Sequence, residues 1–152
     1  MAIAGGAPAR VHHDGHCAAC LDGHHQAGLA THANRYVLKA RETVVAEKID
    51  AMVQLGMANS RMKDFYDIAV LARDFEFDGE TLARAIRATF ERRATALPMA
   101  LPVALTDTFA EDSTKKTQWS GFVRKAGVDD ATSLAEVVAN VAAFVKLKFP
   151  RF

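Results

Sequence analysis

Apolar residues recur at intervals of three and four through most of the chain after residue 40, the spacing that lines one face of an α-helix. Over residues 41–57, Val45, Ile49, Met52, Val53 and Gly56 form such a stripe, with Gly56 near its end. Asn59 or Ser60 then offers an N-cap for a second helix, whose buried stripe is Phe65, Ile68, Ala69, Leu71 and Ala72. The short interval between the two stripes predicts an antiparallel pair. Asp78 can cap a third helix carrying Leu82, Ala85, Ile86 and Phe90, and Arg92 and Arg93 suit the negative end of its dipole. Pro98 and Pro102 break the pattern. Asp112 or Ser113 opens a fourth helix with Trp119, Phe122 and Val123. Ser133 opens a fifth with Leu134, Val137, Val138, Val141, Phe144 and Val145. The expected fold class is mainly α, about five helices over residues 41–149 with at most a short strand at 36–38.

The first 40 residues are a different kind of sequence. All six histidines (His12, His13, His16, His24, His25, His32) and both cysteines (Cys17, Cys20) fall there, in a background crowded with Ala and Gly. That segment holds three basic and two acidic residues, which leaves 16 of each for residues 41–152 of a chain with 19 basic and 18 acidic residues. The expected boundary lies near residues 34–41, dividing a low-order leader at 1–34 from a helical region at 35–149.

Composition narrows the function classes. The chain has 152 residues, 50% of them hydrophobic, enough for one compact domain with a core. A net charge of +1 lacks the cation excess of a protein that coats nucleic acid through its phosphates. No apolar run reaches the ~20 residues that cross a bilayer, and no basic-then-apolar signal opens the chain, so the expected location is the cytoplasm, away from membranes. Two cysteines are too few for a disulfide scaffold.

The first and second predicted helices carry the chain's most specific motifs. Residues 41–48 read Arg-Glu-Thr-Val-Val-Ala-Glu-Lys, and residues 59–67 read Asn-Ser-Arg-Met-Lys-Asp-Phe-Tyr-Asp. With Leu105-Thr106, Phe109-Ala110, Asp112 and Trp119 to Phe122 further on, this pattern resembles the second half of the AbiEii/AbiGii toxin family of nucleotidyltransferases over residues 36–149. The resemblance implies the helical C-terminal region of a nucleotidyltransferase-fold toxin from type IV toxin-antitoxin and abortive phage infection systems. It also implies Mg²⁺ and an NTP as cofactor and substrate in intact members, and an RNA or protein acceptor. Carried onto this sequence, Lys48, Asp64 and Asp67 stand as the inherited catalytic residues, and Lys48, Arg61 and Lys63 as nucleotide-binding residues.

One departure limits that inheritance. The family holds its metal-binding carboxylates on an upstream Gly-Ser followed about ten residues later by Asp-x-Asp; here Gly5-Gly6 leads to no such pair, and no Asp-x-Asp precedes Lys48. Two-metal nucleotidyl transfer needs clustered carboxylates. The expectation is a truncated or frame-disrupted member whose catalytic half is replaced by the leader. It is inactive alone, has no cofactor or metal site of its own, and is prone to self-association where apolar faces lose their cover. The alternative is a noncatalytic helical interaction module.

Spacing alone gives a plainer reading of the motif residues. Lys63 and Asp67 stand at i,i+4 and Arg61 and Asp64 at i,i+3, the geometry of ordinary helix ion pairs worth about 0.3–0.5 kcal/mol each. In the leader, His12, His13, His16, Cys17, Cys20 and His24 are zinc-type donors, but they crowd together without the intervening stretch that folds around a metal. A structural zinc site, adventitious metal affinity and a low-order leader remain its three readings. Trp119, Phe122 and Phe109 are expected in the core rather than on a base-stacking platform, and Lys115-Lys116 and Arg92-Arg93 on solvated faces.

Overall fold

The computed structural model describes residues 41–128 and 132–150. The expected strand at 36–38, the leader at 1–34 with its histidines and cysteines, and the 34/35 boundary lie outside the described residues. Those described belong to one unit, Tyr36–Phe152. They form helices and turns, with no strand among them.

Helix α1 spans residues 41–55 and runs into a 3₁₀ turn at Gly56–Ala58. Gly56 takes φ +51°, left-handed backbone that ends α1 where the stripe predicted. Helix α2 covers Met62–Asp74 and α3 Gly79–Arg92. A proline-containing connection then leads through a 3₁₀ turn at Val103–Leu105 into the one-turn helix α4, Asp107–Ala110. Helices α5, Ser113–Ala126, and α6, Leu134–Lys148, complete the unit. The five long helices are those read from periodicity. The added α4 is a single turn, too short to carry a periodic signal.

Three of the caps follow the sequence. The Asp78 side chain accepts the Thr81 N–H, Asp112 accepts the Lys115 N–H, and Ser133 with Glu136 closes a reciprocal capping box. Gly127 ends α5 at φ +62°. The start of α2 differs from expectation. Its flanking residue is Arg61, while Asn59 lies two residues earlier and uses its side chain to accept the Arg61 N–H at 2.9 Å, a local turn rather than a helix cap.

Helix α6 is the hub, packed against α2, α3, α4 and α5. Its Val137, Val138, Val141 and Val145 share one core with Val45, Ile49 and Met52 of α1, Phe65 and Ile68 of α2, and Leu82, Ile86 and Phe90 of α3. Phe65 stacks on Phe109 at 5.1 Å, which locks α4 beneath α2. Trp119 is buried and its indole donates to the Thr132 carbonyl, so these aromatics serve the core. Among the described residues no helix is long and apolar enough to cross a membrane.

Candidate functional site

Lys48 sits on α1 one position before Ile49 and four before Met52, both fully buried, so its stem starts at the edge of the core. From there the ammonium crosses to α2. Asp64 and Asp67 stand three residues apart on that helix, which places both carboxylates on one face. Lys48 Nζ donates to Asp64 Oδ1 at 2.6 Å and to Asp67 Oδ2 at 2.9 Å. The carboxylates hold further cations: Arg61 Nε lies 2.7 Å from Asp64 Oδ2, and Lys63 Nζ donates to both oxygens of Asp67 at 2.9 and 2.7 Å. The Arg61 contact is coulombic, with its N–H turned away from hydrogen-bonding direction.

Burial grades the cluster. Asp64 is 6% exposed and Lys48 15%, whereas Arg61 and Lys63 are 57% and 72% exposed. The inner pair is thus screened far less by water than an ordinary surface bridge. For Lys48, burial by itself disfavours the charge. The hydrogen bonds and charges of Asp64 and Asp67 outweigh it and hold the ammonium above its ordinary value of 10.5. For Asp67, burial pushes upward but is overcome by hydrogen bonds from Lys63 and Lys48, so the carboxyl lies below its ordinary 3.8.

All five expected site residues therefore meet at the α1–α2 junction. The helix pairs Arg61–Asp64 and Lys63–Asp67 form as their spacing predicted. One other expectation needs correction. Lys115 is no solvated residue: it is 5% exposed, and its ammonium donates to the Asn59 carbonyl at 2.8 Å. Arg93 is exposed, as expected, yet its guanidinium donates to Oδ2 of the fully buried Asp50 at 3.0 Å, while Gln54 donates to the same oxygen at 2.8 Å. Arg92 binds Glu47 at 3.0 Å. The Lys115-Lys116 doublet hid the buried role of Lys115, because a sequence does not show which member of a doublet turns inward.

Divalent metal does not fit this centre. No group of three or more His, Cys, Asp or Glu side chains suited to a metal occurs among the described residues. Asp64 and Asp67 already face three cations, which repel Mg²⁺ and occupy the oxygens it would need.

The described residues thus form helices and turns, with the Lys48 ammonium of α1 clasped by Asp64 and Asp67 of α2. The model of the family described as nucleotidyl transferase AbiEii toxin, type IV TA system, matches residues 36–142. The chain belongs to this family. No curated protein and no solved structure gives a significant match.

Proposed function

We propose that the α1–α2 centre is the helical half of a nucleotidyl-transfer site. In this reading Lys48 meets a phosphate of the incoming NTP, Asp64 and Asp67 orient its ammonium, and the exposed Arg61 and Lys63 gather the triphosphate. The observation that carries the reading is the Lys48 ammonium held between two aspartates, at 2.6 and 2.9 Å, by residues of the family's motif. Preorganised cations of this kind stabilise charge that develops on a transferring phosphoryl group. The acceptor is an RNA or a protein, and the setting is the cytoplasm.

The 152-residue chain on its own lacks the Asp-x-Asp carboxylates before Lys48 that would hold Mg²⁺. In our reading the Ala-, Gly- and His-rich segment at 1–34 is foreign to the family, and these 152 residues alone do not transfer nucleotide. A noncatalytic interaction module is the second reading. It draws on a cavity of about 640 Å³ between α2, α5 and α6, lined by Tyr66, Trp119, Val137 and Phe144 with the exposed Phe75 and Leu147 among its walls. Self-association through such a face would appear as a concentration-dependent mass in sedimentation.

Labelled NTPs test the proposal. With Mg²⁺ or Mn²⁺ and a mixture of RNA and protein acceptors, the short chain should label nothing. A chain completed with the family's Gly-Ser and Asp-x-Asp half should label an acceptor. Lys48→Ala in that completed chain should slow transfer by about 10²-fold, the scale of losing one preorganised electrostatic contact. Labelling by the short chain that Asp64→Ala abolishes would overturn the incompetence, and no labelling by the completed chain would move the weight to the interaction module.

A further inference from the structure

The turn that begins α2 is fastened by a cation outside the ionic centre. Lys115, on α5, donates to the backbone carbonyl of Asn59 at 2.8 Å and, at 3.4 Å, to Oε1 of Gln118, with the Phe109 ring 5.2 Å from its ammonium. Both oxygens are neutral. Burying an ammonium against neutral acceptors carries a desolvation cost, and a methionine of similar length would fill the same space without it. The position therefore uses the donor rather than the bulk of the side chain.

What the donor holds is the first link of a continuous polar chain. Asn59 is fully buried between the 3₁₀ turn and α2. Its side-chain oxygen accepts the Arg61 N–H at 2.9 Å, Arg61 Nε contacts Asp64 Oδ2 at 2.7 Å, and Asp64 Oδ1 takes the Lys48 ammonium at 2.6 Å. The chain runs from α5 through the turn and α2 to α1.

We propose that Lys115 and Asn59 are positioning residues for the Lys48–Asp64 pair: they fix the start of α2 and so the direction from which Asp64 meets Lys48. The functional meaning rests on the nucleotide-site reading of that pair, whereas the positioning itself does not.

Nitrogen-15 NMR of the Lys48 ammonium in the 152-residue chain tests it, at mildly acidic pH and well below the unfolding temperature. Lys115→Met should speed exchange of the Lys48 ammonium hydrogens by about fivefold, the factor that one net hydrogen bond is worth. Lys115→Arg, which keeps a donor, should restore slow exchange. A residue that only stabilised the fold would lower Tm and leave exchange unchanged in the folded chain, and that result would overturn the proposal. If Lys115→Met does not fold, Asn59→Ala, which cuts the chain at the next link, is read the same way: faster exchange supports positioning and an unchanged rate overturns it. A fluorescent GTP analogue titrated into the chain completed with the family's Gly-Ser and Asp-x-Asp half separates the two readings. Faster exchange in the 152-residue variants, with no analogue binding to the completed chain, would uphold positioning and sink the nucleotide site.

Discussion

Replacing Lys48 by methionine keeps the stem beside Ile49 and Met52 and removes only the ammonium, so the variant isolates the ionic centre from the core. Two charge-assisted hydrogen bonds disappear. Asp64 is left with Arg61, and Asp67 with Lys63, both cations largely in water. Breaking a fully buried pair costs about 3–5 kcal/mol, and an exposed pair about 0–1 kcal/mol. Side-chain exposures of 15% for Lys48, 6% for Asp64 and 24% for Asp67 lie between those limits. With the remaining cations taking part of the load, the loss should be about 2 kcal/mol. For a folded region of about 110 residues this lowers Tm by about 8 °C.

The difference between the parent chain and Lys48→Met should also depend on pH with a defined shape. The folded pKa of Asp67 lies below 3.8, so the unfolded chain takes up this proton first as pH falls. The contribution of Asp67 is complete above 3.8 and is lost as pH drops through the lower folded value. Lys48 behaves in the opposite sense. Its folded pKa lies above 10.5, so its contribution is complete below 10.5 and is lost as pH rises through the folded value. Urea unfolding followed by far-ultraviolet circular dichroism across this range should give a plateau that closes at both ends. A neutral-pH difference below about 0.5 kcal/mol, the scale of a surface bridge, would refute the reasoning, as would one that stays open at both extremes.

Other substitutions test the framework around the centre. Arg93→Ala should destabilise by about 2–3 kcal/mol, because it leaves the fully buried Asp50 carboxylate with Gln54 alone; Lys116→Ala, which breaks an exposed pair with Glu111, should cost less than about 0.5 kcal/mol in the same urea assay. Gly127→Ala should cost about 1 kcal/mol from its left-handed backbone alone, since a Cβ there meets open space. Gly56→Ala should lower the unfolding midpoint further, as its Cβ would also press on Val103 Cγ1 at 3.3 Å.

Helix positions were legible because burial on one face leaves a periodic trace, and the caps at Asp78, Asp112 and Ser133 because each is an acceptor standing just before an apolar stripe. Asn59 misled for a related reason. Asparagine accepts a backbone N–H equally well in a local turn, and here it accepts from Arg61, so α2 starts later than the residue type suggests. The convergence of Lys48 with Asp64 and Asp67 could be inferred from the family motif together with the three-residue spacing of the aspartates. Lys115 and Arg93 could not. Their partners, Asn59 and Asp50, lie 56 and 43 residues away along the chain, and only the packed arrangement of α1, α3 and α5 brings them within reach.

The hub position of α6 has a consequence for how this protein comes into being. Ribosomes deliver α1 to α5 before α6, yet the apolar faces of α2, α3, α4 and α5 all close on that later helix. A nascent chain that has not reached Leu134 presents those faces to solvent without α6 to seat on them, a period in which chaperones or neighbouring nascent chains compete for the surface. Productive folding of these helices consequently waits for the synthesis of α6 rather than spreading along the segments before it.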